Sequence, residues 1–164
     1  MASVMKKLFF VFVVAGIVVF FGCNKGLPDT PACTNLSPYA DSAALLKYAH
    51  DSSIQVIRDS SGLYYQILDS GNSTRPIISS NIIVSYVGRL IASGAIFDSA
   101  SNSNLNGARV SGLITGWQIG LPKIGVGGHI VMLIPSAYGY GCTGYGPVPG
   151  NAPLYFDVKL LQVN

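Results

Sequence analysis

The stretch LITGWQIGL, residues 113–121, carries the only tryptophan of the chain and guides the interpretation of the rest. Glycine stands directly before Trp117 and again three residues after it, and no charged residue occurs between Val110 and Pro122. Thr115 can cap a short helix that Pro122 then stops or bends. The segment therefore predicts a short helix with one large ring at its start, and that ring either belongs to the core or forms the floor of a pocket.

Residues 1–22 have the composition of a secretory signal and do not belong to the predicted domain. Two lysines precede an uncharged apolar run over 8–21, which is shorter than the roughly 20 residues that span a membrane. The run ends in Phe-Gly-Cys, which resembles a bacterial lipobox, although Phe20 stands where leucine is usual. We expect cleavage before Cys23 and lipidation of that cysteine, with a cleaved soluble form or an uncleaved anchor as alternatives.

The chain from Cys23 onward divides into three parts. Residues 23–40, which are rich in Pro, Asn, Thr and Ser, are expected to form a flexible tether. Residues 41–61 are expected to add a strand and a helix over 43–49, capped by the first residues of this part. The main domain then spans 62–164, and we find neither an internal repeat nor a second domain in the sequence.

Charge and cysteine content limit the possible partners. Without residues 1–22 the chain has eight basic and seven acidic residues, which indicates neither nucleic acid nor an anionic surface as a partner. With Cys23 lipidated, Cys33 and Cys142 remain as a pair in an exported, oxidising context. They either form a disulfide or remain two free thiols.

Strand patterns dominate the chain after the N-terminal helix. β-rich runs flank a turn signal at 59–62, and further strands are expected at Ile82–Ile91, His129–Pro135 and Leu154–Val163, with a polar loop over 99–107. Five or six strands with one short internal helix predict an α+β domain in which an antiparallel sheet wraps around the helix.

Several catalytic motifs are excluded. Residues 139–144 match G-x-G-x-x-G, but the Gly- and Pro-rich residues that follow cannot start the helix that a dinucleotide site needs. The two histidines, His50 and His129, lie in no known nucleophile motif, and together with the cysteines they show no metal-ligand spacing. We therefore expect no metal, no cofactor and no hydrolytic triad.

Four sequence blocks resemble the FKBP-type peptidyl-prolyl isomerases, in the same order. They are YVGRLIASGAIFDSA (86–100), LITGWQIGLPKIGVGG (113–128), IPSAYGYGCTG (134–144) and VPGNAPLYFDVKLL (148–161). The resemblance runs from about Gly62 to Val163. It implies a strongly twisted antiparallel sheet curled around one short helix over 114–124, with Trp117 as the floor of a proline pocket between helix and sheet.

The resemblance also implies the site residues. The catalytic pocket would be formed by six side chains: Tyr86, Phe97, Asp98, Trp117, Tyr140 and Phe156. Tyr140 would donate a hydrogen bond to a substrate carbonyl, and Asp98 would accept one, with Tyr86 as the candidate donor. The substrate would also contact four further positions: Leu113 and Ile114 through their backbone groups, and Tyr145 and Val148 in the late loop.

The chain departs from the family pattern at one side of the pocket. The segment between Phe97 and Trp117 is shorter than is common, Ala108 stands where aromatic residues are frequent, and Gly112 replaces a side chain that is often acidic. Tyr145 stands where histidine is common. The pocket is therefore expected to be more open on that side.

The function implied by the resemblance is isomerisation of X-Pro bonds in exported proteins. A proline-peptide-binding or chaperone-like module with weak turnover is one alternative, and an envelope lipoprotein that keeps only the scaffold is another. The expected partners are proline-containing segments of client proteins and, through the lipid on Cys23, a membrane; we expect a monomer that does not bind nucleic acid. The expected location is the bacterial cell envelope, facing the periplasm or the exterior.

Overall fold

Six antiparallel strands form the sheet of this protein, which a computed structural model describes over residues 32–103 and 109–164. The elements are α1 (Ser42–Asp51), β1 (Ile57–Arg58), β2 (Tyr64–Asp69), β3 (Ile82–Leu90), β4 (Ile96–Ser103), α2 (Thr115–Gly120), β5 (His129–Ile134) and β6 (Leu154–Val163). Short 3₁₀ turns lie at Val110–Gly112, Leu121–Lys123 and Ser136–Tyr138. Cys33 to Asn164 form one compact unit.

The strand order is β1-β2-β5-β6-β3-β4, so that β6 lies between β5 and β3. It pairs with β3 from Ile82↔Val163 to Leu90↔Leu154 and with β5 from His129↔Lys159 to Ile134↔Leu154. Alternate residues of β6 are buried, as expected for a strand with one face on the core. The α+β fold predicted from the sequence, an antiparallel sheet around a short helix, is confirmed.

The main core lies between the sheet and α2. It contains Trp117 and Leu121 together with inward-facing side chains of β3, β5 and β6. The helix lies very close to β5, since a Cβ added at Gly116 would be only 2.5 Å from the Cγ2 atom of Ile134. A glycine at this position therefore sets the distance between the helix and the sheet.

A second cluster lies on the opposite face of the sheet. Leu45 and Ala49 of α1 pack on Tyr64 and Leu133, which are paired across β2 and β5. Since side chains alternate between the faces of a strand, this cluster is separated from the main core by the thickness of the sheet. The predicted N-terminal helix is therefore part of the domain and covers a face that would otherwise expose apolar residues.

Three boundaries differ from the sequence expectations. β4 continues to Ser103 through part of the predicted polar loop 99–107, because polar side chains suit an edge strand that still bonds to β3. The helix expected over 114–124 is α2 followed by a 3₁₀ turn, and Ile114 rather than Thr115 occupies its N-cap position. Residues 33–40, which were expected to belong to the tether over 23–40, are part of the compact unit that begins at Cys33.

Several sequence predictions lie outside the described residues. These are the signal segment 1–22, lipidation of Cys23 and the wall position Ala108, and they remain predictions. Within the two described ranges, no helix has the length and apolar character needed to cross a membrane.

Candidate functional site

A cavity of about 220 Å³ opens between α2, the sheet and the loop after β5. Its lining consists of Tyr86, Asp98, Gly112, Leu113, Ile114, Trp117, Tyr140 and Phe156. Seven of these were predicted as site residues, and Gly112 was noted as a departure from the family pattern. Three other predicted residues, Phe97, Tyr145 and Val148, do not line the cavity.

Three aromatic rings form the floor and one wall of this cavity. The Trp117 ring is 4% exposed and meets Tyr86 edge-on at 5.3 Å and Phe156 edge-on at 5.2 Å between ring centroids. Such edge-to-face contacts stabilise a fixed arrangement of the rings. The indole N–H of Trp117 has no hydrogen-bond partner among the described residues. The floor is thus a rigid, mostly apolar surface.

Gly88 makes this packing possible and was not singled out from the sequence. It lies in β3 between Asp98 of β4 and Phe156 of β6. A Cβ at this position would come within 2.8 Å of the Phe156 ring and 2.9 Å of the Phe97 ring. Phe97 packs edge-on against Phe156 at 5.5 Å and against Tyr140 at 6.4 Å, so it joins the rings of the sheet to the loop tyrosine. The available signal was a glycine inside a strong strand, which often marks a close approach.

Tyr86 and Asp98 form a hydrogen-bonded pair at the edge of the cavity. The Tyr86 hydroxyl donates to Asp98 Oδ2 at 2.7 Å, which is the arrangement that the resemblance implied. Burial, followed by the hydrogen bond to Asp98 and its negative charge, raises the pKa of Tyr86 well above its usual value. The hydroxyl therefore stays protonated, and the carboxylate acts as an acceptor.

Tyr140 presents a free donor to the cavity. Its hydroxyl has no acceptor in the described part of the chain, whereas that of Tyr86 is taken by Asp98. Burial, with smaller contributions from Asp98 and Tyr145, raises the pKa of Tyr140, so this hydroxyl also keeps its proton. Tyr140 can therefore donate a hydrogen bond to a carbonyl oxygen of a bound peptide.

Neither of the two predicted late-loop residues lines the cavity. Tyr145 stacks on Tyr140 at 5.4 Å with its ring 72% exposed, so it extends the rim of the pocket and does not line the cavity. Val148 is 3% exposed and belongs to the main core, because the hydrogen bonds between residues 145 and 148 turn it inward. Val148 therefore does not line the cavity in this structure, and its contact with substrate stays a prediction.

Of the two predicted backbone positions, only Ile114 offers a free group. The Leu113 amide donates to the Val110 carbonyl at 3.1 Å, and the Leu113 carbonyl accepts from Gln118 Nε2 at 2.7 Å. The Ile114 carbonyl accepts from the first turn of α2, but its amide has no acceptor among the described residues. The Ile114 N–H is therefore available to a ligand, while Leu113 contributes its side chain.

The predicted cysteine pair is bonded in the structure. Cys33 and Cys142 form a disulfide between the N-terminal segment and the loop that carries Tyr140. Asn35 Oδ1 also accepts a hydrogen bond from the Cys142 amide at 2.8 Å. A further contact to this loop, from Asp41 to Ser136, was missed, because no local pattern relates residues 95 positions apart.

Apart from the buried indole N–H of Trp117, the cavity therefore combines apolar rings with two free donors, the Ile114 N–H and the Tyr140 hydroxyl. Its one carboxylate, Asp98, is occupied by Tyr86. These groups suit the binding of an apolar ring and an adjacent amide carbonyl, and they suit a reaction that breaks no bond.

The comparisons agree with this geometry. The profile of a family described as FKBP-type peptidyl-prolyl cis-trans isomerase matches residues 73–161. The chain is 35% identical to Escherichia coli K12 FkpA, named an FKBP-type peptidyl-prolyl cis-trans isomerase, over 71% of this chain and 43% of that protein. It therefore spans less than half the length of that relative.

A shorter relative and a crystal structure match over most of their length. FK506-binding protein 1 of Saccharomyces cerevisiae is 35% identical over 60% of this chain and 90% of that protein. The crystal structure of a peptidyl-prolyl cis-trans isomerase from Pseudomonas syringae has a TM-score of 0.64 and 27% identity, covering 80% of this chain and 98% of that one.

Proposed function

Because the chain belongs to the FKBP-type peptidyl-prolyl cis-trans isomerase family, we propose that it accelerates rotation about X-Pro bonds in client proteins. The observation that carries this proposal is the cavity: three packed aromatic rings of the size to hold a proline ring, beside two unpartnered hydrogen-bond donors. No metal or cofactor enters the proposed reaction.

The physical basis of the reaction is amide resonance. Rotation about an X-Pro bond crosses a barrier of about 18–20 kcal/mol, and the planar amide carries negative charge on its oxygen that water stabilises. An apolar pocket withdraws that water, which favours the less polar twisted amide. In this mechanism the rings hold the proline, and the Tyr140 hydroxyl and the Ile114 amide orient the peptide carbonyls.

A protease-free prolyl isomerisation assay on the full-length chain in mild detergent tests the proposal. We expect turnover by the wild type and a loss of most of the rate in Trp117→Ala and Asp98→Ala. The matched control for the second variant is Asp51→Ala, since Asp51 is an exposed carboxylate on α1 paired with Lys47. Absence of wild-type turnover would refute the proposal, and retained proline-peptide binding would then identify a binding module.

We also propose that the protein is a monomer held in the bacterial cell envelope by lipid on Cys23, where it faces the periplasm or the exterior. The apolar run over 8–21 that leads into Phe-Gly-Cys supports the lipid anchor. The Cys33–Cys142 disulfide supports the location in the envelope, since disulfides persist in oxidising compartments. Mass spectrometry of the expressed protein should find a diacylglyceryl group on Cys23 and none in Cys23→Ser. An unmodified Cys23 in bacterial membranes would refute the anchor.

A further inference from the structure

We propose that the N-terminal arm, residues 33–41, positions Tyr140 for catalysis and that Asp41 is the positioning residue. The proposal rests on the proposed isomerase function. The arm precedes residues 73–161, the part that matches the family profile. It contacts the loop after β5 at two points, one on each side of Tyr140.

The first contact is a buried carboxylate. Asp41 Oδ2 accepts hydrogen bonds from the Ser136 amide at 2.7 Å and the Ser136 hydroxyl at 2.6 Å. Asp41 is 9% exposed and Ser136 is fully buried. Although Asp41 occupies the N-cap position of α1, its side chain makes no capping bond there. The carboxylate is thus used for Ser136 and not for its own helix, and hydrogen bonds to an ionised acceptor are among the stronger ones.

Ser136 transmits this contact to both neighbours of Tyr140. The Ser136 carbonyl accepts hydrogen bonds from the Gly139 amide at 3.1 Å and from the Gly141 amide at 3.0 Å. The amides of both neighbours of Tyr140 therefore bond to the Ser136 carbonyl oxygen, and Asp41 in turn holds Ser136. A shift of Ser136 would move Tyr140 directly.

The second contact holds the far side of Tyr140. Cys142 is joined to the arm by its disulfide to Cys33 and by the bond from its amide to Asn35 Oδ1. The adjacent Gly141 has a φ of +58°, and a Cβ there would lie 2.5 Å from Asn35 Oδ1. The arm therefore fits closely against the loop at this end as well.

The arm is itself fixed to the sheet. The Arg58 guanidinium of β1 lies 4.6 Å from the centre of the Tyr39 ring, and Asp41 leads into α1, whose Leu45 is buried on the outer face. Tyr140, by contrast, lies in a loop that no strand ladder holds. The arm thus supplies a rigid support for a side chain that must meet a substrate carbonyl within hydrogen-bond distance.

A double-mutant cycle with Tyr140 on the full-length chain tests the proposal. We expect Asp41→Ala to lower kcat/KM about tenfold in the wild type and by less than about twofold in Tyr140→Ala, because residues that act through one another are not additive. Asp41→Asn, which keeps an acceptor oxygen, should recover most of the rate. Asp51→Ala is the control for loss of a carboxylate from the α1 region and should keep the wild-type rate.

A purely structural role for Asp41 would lower the melting temperature and leave kinetics below that temperature unchanged, or would lower the rate equally in both Tyr140 backgrounds. Either result overturns the proposal while the isomerase function stands. If Asp41→Ala does not fold, the double-mutant cycle is repeated with Asn35→Ala in place of Asp41→Ala. We again expect a smaller loss of kcat/KM in the Tyr140→Ala background than in the wild type.

If the wild type shows no turnover, the isomerase function fails, and the cycle is read instead from proline-peptide affinity, measured by Trp117 fluorescence. Weaker binding in Asp41→Ala that vanishes in the Tyr140→Ala background supports the arm's role. Equal affinities, or no binding by the wild type, overturn it.

Discussion

The two sides of the pocket are held in place by different means. Tyr86 and Phe156 lie on paired strands, and Trp117 packs on both of them, so hydrogen-bond ladders and close glycine contacts fix this sheet-borne wall. Tyr140 and Tyr145 form a loop-borne wall. It is held by a disulfide and a few side-chain hydrogen bonds from the N-terminal arm, and by edge-on packing of Tyr140 against Phe97 of the sheet. The floor is thus part of the core, whereas the Tyr140 donor is held in part by an arm that precedes the family match.

This difference suggests a division of tasks. The sheet-borne wall forms whenever the fold forms, because its contacts are those of the main core. The loop-borne wall has fewer such contacts, and its supports come from residues far away in sequence: Cys33, Asn35 and Asp41. Side-chain changes that disturb the ring packing of the first wall should therefore lower stability, whereas removal of the free Tyr140 hydroxyl from the second should lower activity alone.

Reduction of Cys33–Cys142 has the largest expected effect. The bond closes a loop with a sequence separation of 109 residues, so its loss should lower the free energy of unfolding by about 4 kcal/mol. Urea unfolding followed by circular dichroism, with and without reductant, measures this. Below the transition, the reduced protein should keep the Trp117 emission maximum and lose peptide affinity. A shifted maximum would mean that the sheet-borne wall also needs the disulfide.

Gly116→Val should produce the next largest effect, at the other wall. The added side chain meets Ile134 of β5, so we expect a loss of about 3 kcal/mol in unfolding free energy from overpacking. The matched control is Gly112→Ala, where the new methyl group meets open space. Equal stability of Gly116→Val and the wild type in urea would contradict the close approach of α2 to the sheet.

Removal of single hydroxyls compares the walls directly. Tyr86→Phe should cost about 1 kcal/mol of stability, because it removes the hydrogen bond to Asp98. Tyr140→Phe removes a hydroxyl without a partner among the described residues, so stability should stay constant while kcat/KM falls. Thermal melts and isomerisation rates of both variants provide the test, and the opposite pattern would show that the roles of the two tyrosines are exchanged.

The smallest effect concerns pH. Burial, and after it Asp98, raises the pKa values of Tyr86 and Tyr140 in the folded protein. The stability that these two groups contribute is therefore complete below pH 10 and is lost as the pH rises through their pKa values in the folded state. Asp98→Asn should lower both pKa values, and that of Tyr86 more, because its hydroxyl bonds to the carboxylate. NMR titration of labelled tyrosines measures both, and unchanged values would exclude Asp98 as a cause.

The sheet-borne wall was largely predictable from the sequence. Tyr86 and Phe156 lie in segments with clear strand patterns, and the family resemblance of the ordered sequence blocks implied that Trp117 is the floor of the pocket. The position of a residue within such a segment determines its face, so the fold also places the side chain. Gly88 shows the limit of prediction from the sequence, because the sequence does not reveal that the rings of Phe97 and Phe156 pack against this glycine.

The loop-borne wall was predictable only in part. The resemblance identified Tyr140, but it also assigned Val148 to the substrate, whereas the turn at 145–148 directs this side chain into the core. The contact between Asp41 and Ser136 joins residues that are far apart in sequence and carry no motif. Asp41 has the sequence signature of a helix cap, and only the tertiary structure shows that its carboxylate is used elsewhere.

The position of β6 between β3 and β5 has a consequence for biosynthesis. A ribosome makes every other described element before β6, yet until Leu154–Val163 emerges, the pairs β3·β4 and β2·β5 have no strand to join them. Phe156, which completes the ring cluster, arrives on the same strand. Before β6 is made, the nascent chain therefore lacks both the strand that joins these pairs and one ring of the pocket.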